Sequence, residues 1–181
     1  MCDPFLATLH LTDGQRLAYS ERGKKEYTMT KHAIVKQISG IAFAARGDSD
    51  HWVAMDGPAS VGGTEAGSRP KELLLFALGG CTASDVVNIL KKKRVPLQGF
   101  EMYLTGEEAA EHPKVFTRIH VEYVFFGDSV SPADVERAIE LSTTKYCSVS
   151  AMLTPKVTIT HSYRIEPSRI GETSNTESLA N

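Results

Sequence analysis

An unbroken apolar run, Leu73-Leu74-Leu75-Phe76-Ala77-Leu78, continues at helical spacing through Val86, Ile89 and Leu90. Pro70 stands just ahead of it, where a missing backbone N–H costs nothing, and Pro96 bars continuation. The pattern predicts one long helix from 70 to about 93. Its apolar residues cover most of the circumference, so this helix requires burial on nearly all sides. The flanking segments have a shorter period. Ile34, Val35, Ile38, Ile41 and Phe43 predict a strand pair or one long bent strand, with 51–55 returning after a turn at 46–50. Segments 100–106 and 115–126 read as a hairpin, with Val115, Thr117, Ile119, Val121, Tyr123 and Phe125 on one side. Ser131-Pro132-Ala133-Asp134 is a helix start, with Ser131 as N-cap and Asp134 reaching back. Val135, Ala138, Ile139 and Ser142 give that helix a buried face, and it ends near Cys147 in a kink and a short turn through Met152. Residues 157–165 form the last strand.

Strands, long helix, strands, helix and strand in this order imply an α+β fold, with antiparallel sheets wrapped around a long central helix. Residues 31–166 make the domain. Residues 1–30 read as an extension, either a hairpin turning at Asp13-Gly14 or a partly disordered segment, and the polar residues 167–181 as a disordered tail. One chain with so few strands does not enclose such a helix, so an intertwined, obligate homodimer is expected.

Composition narrows the class. The chain has 181 residues, enough for one domain with a core of its own. A net charge of −2 gives no reason to expect nucleic acid as a partner. Thr82, Ser84, Asp85 and Asn88 break the apolar run, so no membrane span is expected, and Asp3, His10, Asp13 and Arg16 argue against a signal peptide. The 3 cysteines include no Cys-x-x-Cys pair and make no secreted disulfide framework. A cytoplasmic protein is expected, in which a disulfide would be transient and catalytic.

Cys81 is the first candidate for chemistry. Ala77, Leu78, Ser84 and Asp85 are its neighbours on the helix, so it marks the change from an apolar to a polar stripe, at the floor of a pocket with a polar mouth. The ordinary reading of such a cysteine is a small hydrophobe. In mid-helix it gains little from the helix dipole, and a charged Asp85 disfavours its thiolate. A reactive Cys81 therefore needs an external cation. Arg46 is the best-placed candidate, its ordinary reading being a solvated hairpin arginine, and Arg118 and Lys145 are lesser ones. Gly79-Gly80 weakens the helix, which either tight packing or close approach of a substrate would offset. Lys91 to Arg94 complement the helix C-terminus on a solvated end. His112, His120 and His161 lack the spacing of a metal site, and no metal or cofactor is expected.

Pro70-Lys71-Glu72-Leu73-Leu74 leading to Gly80-Cys81, with Lys145-Tyr146-Cys147-Ser148-Val149-Ser150 downstream, resembles the OsmC/Ohr family. Ile159-Thr160-His161-Ser162-Tyr163 and Met55-Asp56-Gly57 are similar to its YhfA-like branch. The resemblance implies a homodimer with active sites at the subunit interface. It also implies reduction of organic hydroperoxides in oxidative or osmotic stress defence, with Cys81 peroxidatic, Cys147 resolving and a dithiol as reductant. The family's hairpin arginine falls at Arg46. Its glutamate, ten residues before the first cysteine, falls at Lys71, with Glu72 adjacent as the candidate carboxylate. The alternative is a non-catalytic module that binds a small hydrophobic or reactive metabolite.

Overall fold

In the computed structural model, the described residues are 15–19 and 25–168, and the chain divides into two compact units, 1–70 and 71–181. The first unit is built from short strands. β1 (Gln15–Tyr19) pairs antiparallel with β2 (Lys25–Met29). The turn expected at Asp13-Gly14 lies outside the described residues. β3 (Ala33–Ser39), β4 (Ala42–Gly47) and β5 (Val53–Met55) form an antiparallel sheet in chain order, so the apolar residues of 33–45 make a strand pair rather than one bent strand. Its side chains leave much apolar surface open. Val35 and Ile38 on β3 are 59% and 66% exposed, and Val35, Ile41, Phe43 and Met55 line an apolar hollow of about 390 Å³.

After β5 the chain is organised by a carboxylate. Asp56, only 3% exposed, accepts hydrogen bonds from the Thr64 hydroxyl at 2.7 Å and from the backbone amides of Gly57, Thr64 and Ala66 at 2.7, 2.9 and 3.1 Å. Those donors, the Thr64 hydroxyl foremost, hold its carboxyl well below the usual range against the opposing effect of burial. The loop closes tightly over it: a Cβ at Gly63 would lie 1.8 Å from the Gly57 carbonyl oxygen.

In the second unit the long helix α1 spans Pro70–Lys92. Leu78, Thr82, Val86 and Leu90 are buried at four-residue intervals, a single stripe along the helix. The stripe meets this unit's sheet, where β6 (Gly99–Glu108) and β7 (Phe116–Phe126) form the expected hairpin. Ile119, Val121, Tyr123 and Phe125 of β7 are fully buried, as their alternation predicts. Gly79 answers to tight packing, since a Cβ there would lie 3.0 Å from Leu104 Cδ1 of β6, whereas Gly80 faces open space. By length and composition alone α1 would pass for a membrane span, but its apolar stripe is core. The helix is not covered all round within one chain: Leu74 and Phe76 are 45% and 59% exposed, because this unit's strands cover only one side.

Two further expectations need correction. β8 (Thr158–Glu166) lies beside β7 in parallel, not antiparallel, so this sheet is mixed, in the order β6-β7-β8. The reason is the connection. Helix α2 (Pro132–Leu141) and helix α3 (Ser148–Leu153) return the chain to the end of the sheet where β7 began, as parallel neighbours require. Ser131 precedes α2 with Pro132 at its first position, but its side chain makes no capping bond. Asp134 instead pairs with Lys93 at 2.6 Å, which ties the residue just after α1 to the first turn of α2.

The Asp56 loop sets a pH dependence. The folded-state pKa lies below the unfolded value of about 3.9, so its stabilisation is complete above pH ~4 and is lost as pH falls further. Urea unfolding between pH 3 and 7 should therefore show a shallower acid loss in Asp56→Asn than in the wild type. Parallel pH profiles would contradict this assignment.

Candidate functional site

The buried stripe of α1 fixes which way its other faces point. With Thr82 directed into the core, Cys81 and Asp85, one turn apart, lie together on the adjoining face and are half-buried. Cys147 comes from a segment distant in sequence. Helix α2 runs into a wide turn over Ser142–Tyr146, closed by the Cys147 N–H donating to the Ser142 carbonyl at 2.8 Å. Such wide turns often occur at functional sites. Cys147 then leaves helical geometry, with φ −71° and ψ 99°, and caps α3: its Sγ accepts the Ser150 N–H at 3.3 Å.

These two local features bring the thiols together. The sulfurs of Cys81 and Cys147 and a carboxylate oxygen of Asp85 all lie within 4.8 Å of one another. Both cysteines are free thiols, and Cys147 is only 3% exposed. The Thr82 hydroxyl is 3.3 Å from Cys147 Sγ, the Ser148 hydroxyl 4.0 Å from Cys81 Sγ, and the Ser142 hydroxyl donates to Asp85 Oδ2 at 3.1 Å.

The electrostatics of the pair are unequal. Burial pushes the Cys81 thiol up, but the Val149 backbone amide, Cys147 and Ser148 together more than offset it, and Cys81 titrates below its ordinary value despite the Asp85 charge. Burial pushes Cys147 up and prevails over its contacts with Thr82 and Ser150, and a charged Cys81 raises it further. The two shifts run in opposite directions, so of the pair Cys81 loses its proton first, with the Cys147 thiol among its donors. Beneath Cys147, Tyr123 is held neutral by burial and by nearness to that thiol, and its hydroxyl lies 3.0 Å from His161 Nδ1. Burial, then the neighbouring His120, pushes His161 down.

The other sequence candidates stand elsewhere. Within the first unit Arg46 pairs with Asp50 and stacks over Trp52 at 5.1 Å. Lys145 sits over the Tyr146 ring at 5.3 Å. Glu72 is two and a half turns before Cys81, which puts it about 13–14 Å away along the helix and on the opposite face. Lys71 is anchored to the far end of the hairpin, paired with Glu108 and donating to the Lys114 carbonyl at 3.2 Å. Within the second unit, hydrogen bonds from Val149, Cys147 and Ser148, not a cation, lower Cys81. Thr82, Ser142, Ser148 and the Val149 amide escaped the sequence reading, because only the fold brings 142–150 to residues 81–85. A cavity of about 510 Å³ opens on the next face of α1, lined by Leu75, Phe76, Gly80, Met102 and Leu104 among others. Cys81 is not in its lining, so this cavity is distinct from the expected pocket with that cysteine as its floor.

The asymmetry predicts reactivity. Iodoacetamide should alkylate Cys81 faster than Cys147 at pH 7, with a midpoint below the ordinary thiol value of about 8.5. Cys147→Ala, which removes one donor to that sulfur, should move the midpoint upward. Equal labelling of the two cysteines in native protein, read by peptide mass spectrometry, would contradict the assignment.

The family model for OsmC-like protein matches residues 62–162, which contain both cysteines. Protein YhfA of Escherichia coli strain K12 is 43% identical over 133 residues, covering 74% of this chain and 96% of that protein. Among solved structures, a hypothetical protein from Aquifex aeolicus VF5 superposes with TM-score 0.69 at 32% identity, covering 78% of this chain and all of that one. An organic hydroperoxide resistance protein OsmC from Legionella pneumophila superposes with TM-score 0.58 at 15% identity, over 74% and 96% of the two chains, a likeness of fold. A paired-cysteine site inside the matched segment, and a relative sharing more than two fifths of its residues, place this chain in the OsmC-like protein family.

Proposed function

We propose that the protein is a thiol-dependent reductase of organic hydroperoxides that works through Cys81 and Cys147. The observation that carries this reading is the unequal pair: one half-buried sulfur favoured as thiolate, and one buried thiol donating to it from within 4.8 Å. The Cys81 thiolate attacks a peroxide oxygen, the O–O bond breaks, and the alkoxide leaves as alcohol after taking a proton. The sulfur, oxidised by two electrons, becomes a sulfenic acid. The Cys147 sulfur then attacks it, an S–S bond forms and water leaves. A dithiol reductant returns both thiols by exchange. Disulfide geometry needs the sulfurs about 2.0 Å apart, so Cys147 has to move by up to roughly 3 Å. Its place between a wide turn and a short helix supports such a shift.

A homodimer accompanies this reading. Exposed Leu74, Phe76 and Val87 on α1, and exposed Ile34, Val35 and Ile38 on β3, support it, because each such side chain gains about 1.5–3 kcal/mol on full burial. A partner subunit would supply Arg46, at the family's arginine position, and Glu72, the carboxylate beside the family's glutamate position. The binding-module reading draws instead on the apolar cavity between α1 and β6. A ligand retained there in native mass spectrometry, with cysteines inert to peroxide, would favour it.

With cumene hydroperoxide and a dithiol, Cys81→Ser should lose all turnover. Without the dithiol, Cys147→Ser should consume about one equivalent of peroxide per chain and stop at the Cys81 sulfenic acid. Wild-type turnover equal to that of Cys81→Ser would refute the proposal. For the assembly, sedimentation should give a dimer at micromolar concentration, with unfolding that depends on protein concentration. A folded monomer under those conditions would contradict it.

A further inference from the structure

Asp85 has no evident part in peroxide chemistry. Its charge works against a thiolate at Cys81, yet its carboxylate is half-buried and held in place by the fully buried Ser142, whose hydroxyl donates to Oδ2 at 3.1 Å. A carboxylate kept beside two sulfurs is explained if a cation sits among them.

The geometry fits one. Cys81 Sγ, Cys147 Sγ and an Asp85 carboxylate oxygen lie within 4.8 Å of one another. Four-coordinate zinc, with Zn–S near 2.3 Å and Zn–O near 2.0–2.2 Å, sets sulfurs about 3.8 Å apart and sulfur to oxygen about 3.5 Å apart. The cluster therefore closes on an ion with shifts of roughly 1 Å. Cys81 and Asp85 project from one helix face, while Cys147 enters from the start of α3. The ligands also have supporting contacts. Ser142 orients the carboxylate, and the Ser150 N–H and Thr82 hydroxyl each lie 3.3 Å from Cys147 Sγ. Outer contacts of this kind orient ligands and hold metal affinity.

We propose that the reduced protein binds Zn²⁺ through Cys81, Asp85 and Cys147, with the fourth position open to water on the side of Ser148. Two thiolates favour a thiophilic ion over magnesium or calcium, which take oxygen ligands. Metal and peroxide compete for the same sulfurs, so Zn²⁺ shields the pair from oxidation. The proposal does not depend on turnover, because binding is read on the resting reduced protein.

The test is a titration of reduced full-length protein carrying Cys2→Ser, with Zn²⁺ competed against a chromophoric chelator. One ion per chain is expected, with binding lost in Cys81→Ser and weakened at least about tenfold in Asp85→Asn. X-ray absorption of the zinc-loaded protein, which needs no site variant, should show two sulfur neighbours near 2.3 Å and oxygen near 2.0–2.2 Å. No stoichiometric binding, unchanged affinity in Asp85→Asn, or a shell with one or four sulfurs would overturn the proposal.

Discussion

Burial of one stripe of α1 against the β6–β7–β8 sheet is the constraint on which the site depends. Leu78, Thr82, Val86 and Leu90 recur every fourth residue, and the sheet offers Ile119, Val121, Tyr123 and Phe125 as the facing layer. Once that stripe is buried, the rotation of α1 is set. Thr82 points inward to meet Cys147, and Cys81 and Asp85 fall on the shoulder between core and solvent. Turning the helix by one residue, about 100°, would expose Leu78 or bury Asp85 without a partner. The position of the Cys81 sulfur is thus a by-product of core packing.

The second determinant is the break in the helix after α2. A continuous helix would satisfy its own carbonyls and amides, leaving none for the cysteines. The wide turn at 142–146 and the extended backbone at Cys147 free the amides of Val149 and Ser150, and each is used on a sulfur: Val149 on Cys81, Ser150 on Cys147. Equal chemistry in unequal surroundings then separates the two thiols. Cys81 has more donors and some solvent. Cys147 is buried, and its own proton is one of the donors that stabilise Cys81. The mixed sheet serves the same end, because the crossover that makes β8 parallel to β7 is the segment that carries Cys147.

Much of this was legible in the sequence for a physical reason: helices and hairpins have local periods. Pro70, the apolar run and Pro96 bound α1, alternation gave the inward side of β7, and Pro132 with the polar break near Cys147 marked α2 and its end. The i, i+4 relation of Cys81 and Asp85 was readable too. What escaped depends on contacts between distant segments. The direction of β8 follows from the path of a whole crossover, and the roles of Thr82, Ser142 and the Val149 amide require 142–150 to lie on residues 81–85. The Asp56 loop was invisible because its donors are mostly backbone amides, which leave no mark in residue identity. Glu72 is a different case. It was chosen as the residue beside the family's glutamate position, although a nine-residue spacing from Cys81 implies opposite helix faces within one chain.

The central claim is that Cys81 is the sulfur oxidised first and Cys147 the one that captures it. Treating reduced protein with a substoichiometric amount of organic hydroperoxide, then mapping cysteine-containing peptides by mass spectrometry, tests it directly. The account predicts a Cys81–Cys147 disulfide as the main product in the wild type, and a sulfenic acid trapped at Cys81 in Cys147→Ser. Recovery of both thiols unmodified, or first oxidation at Cys147, would contradict it.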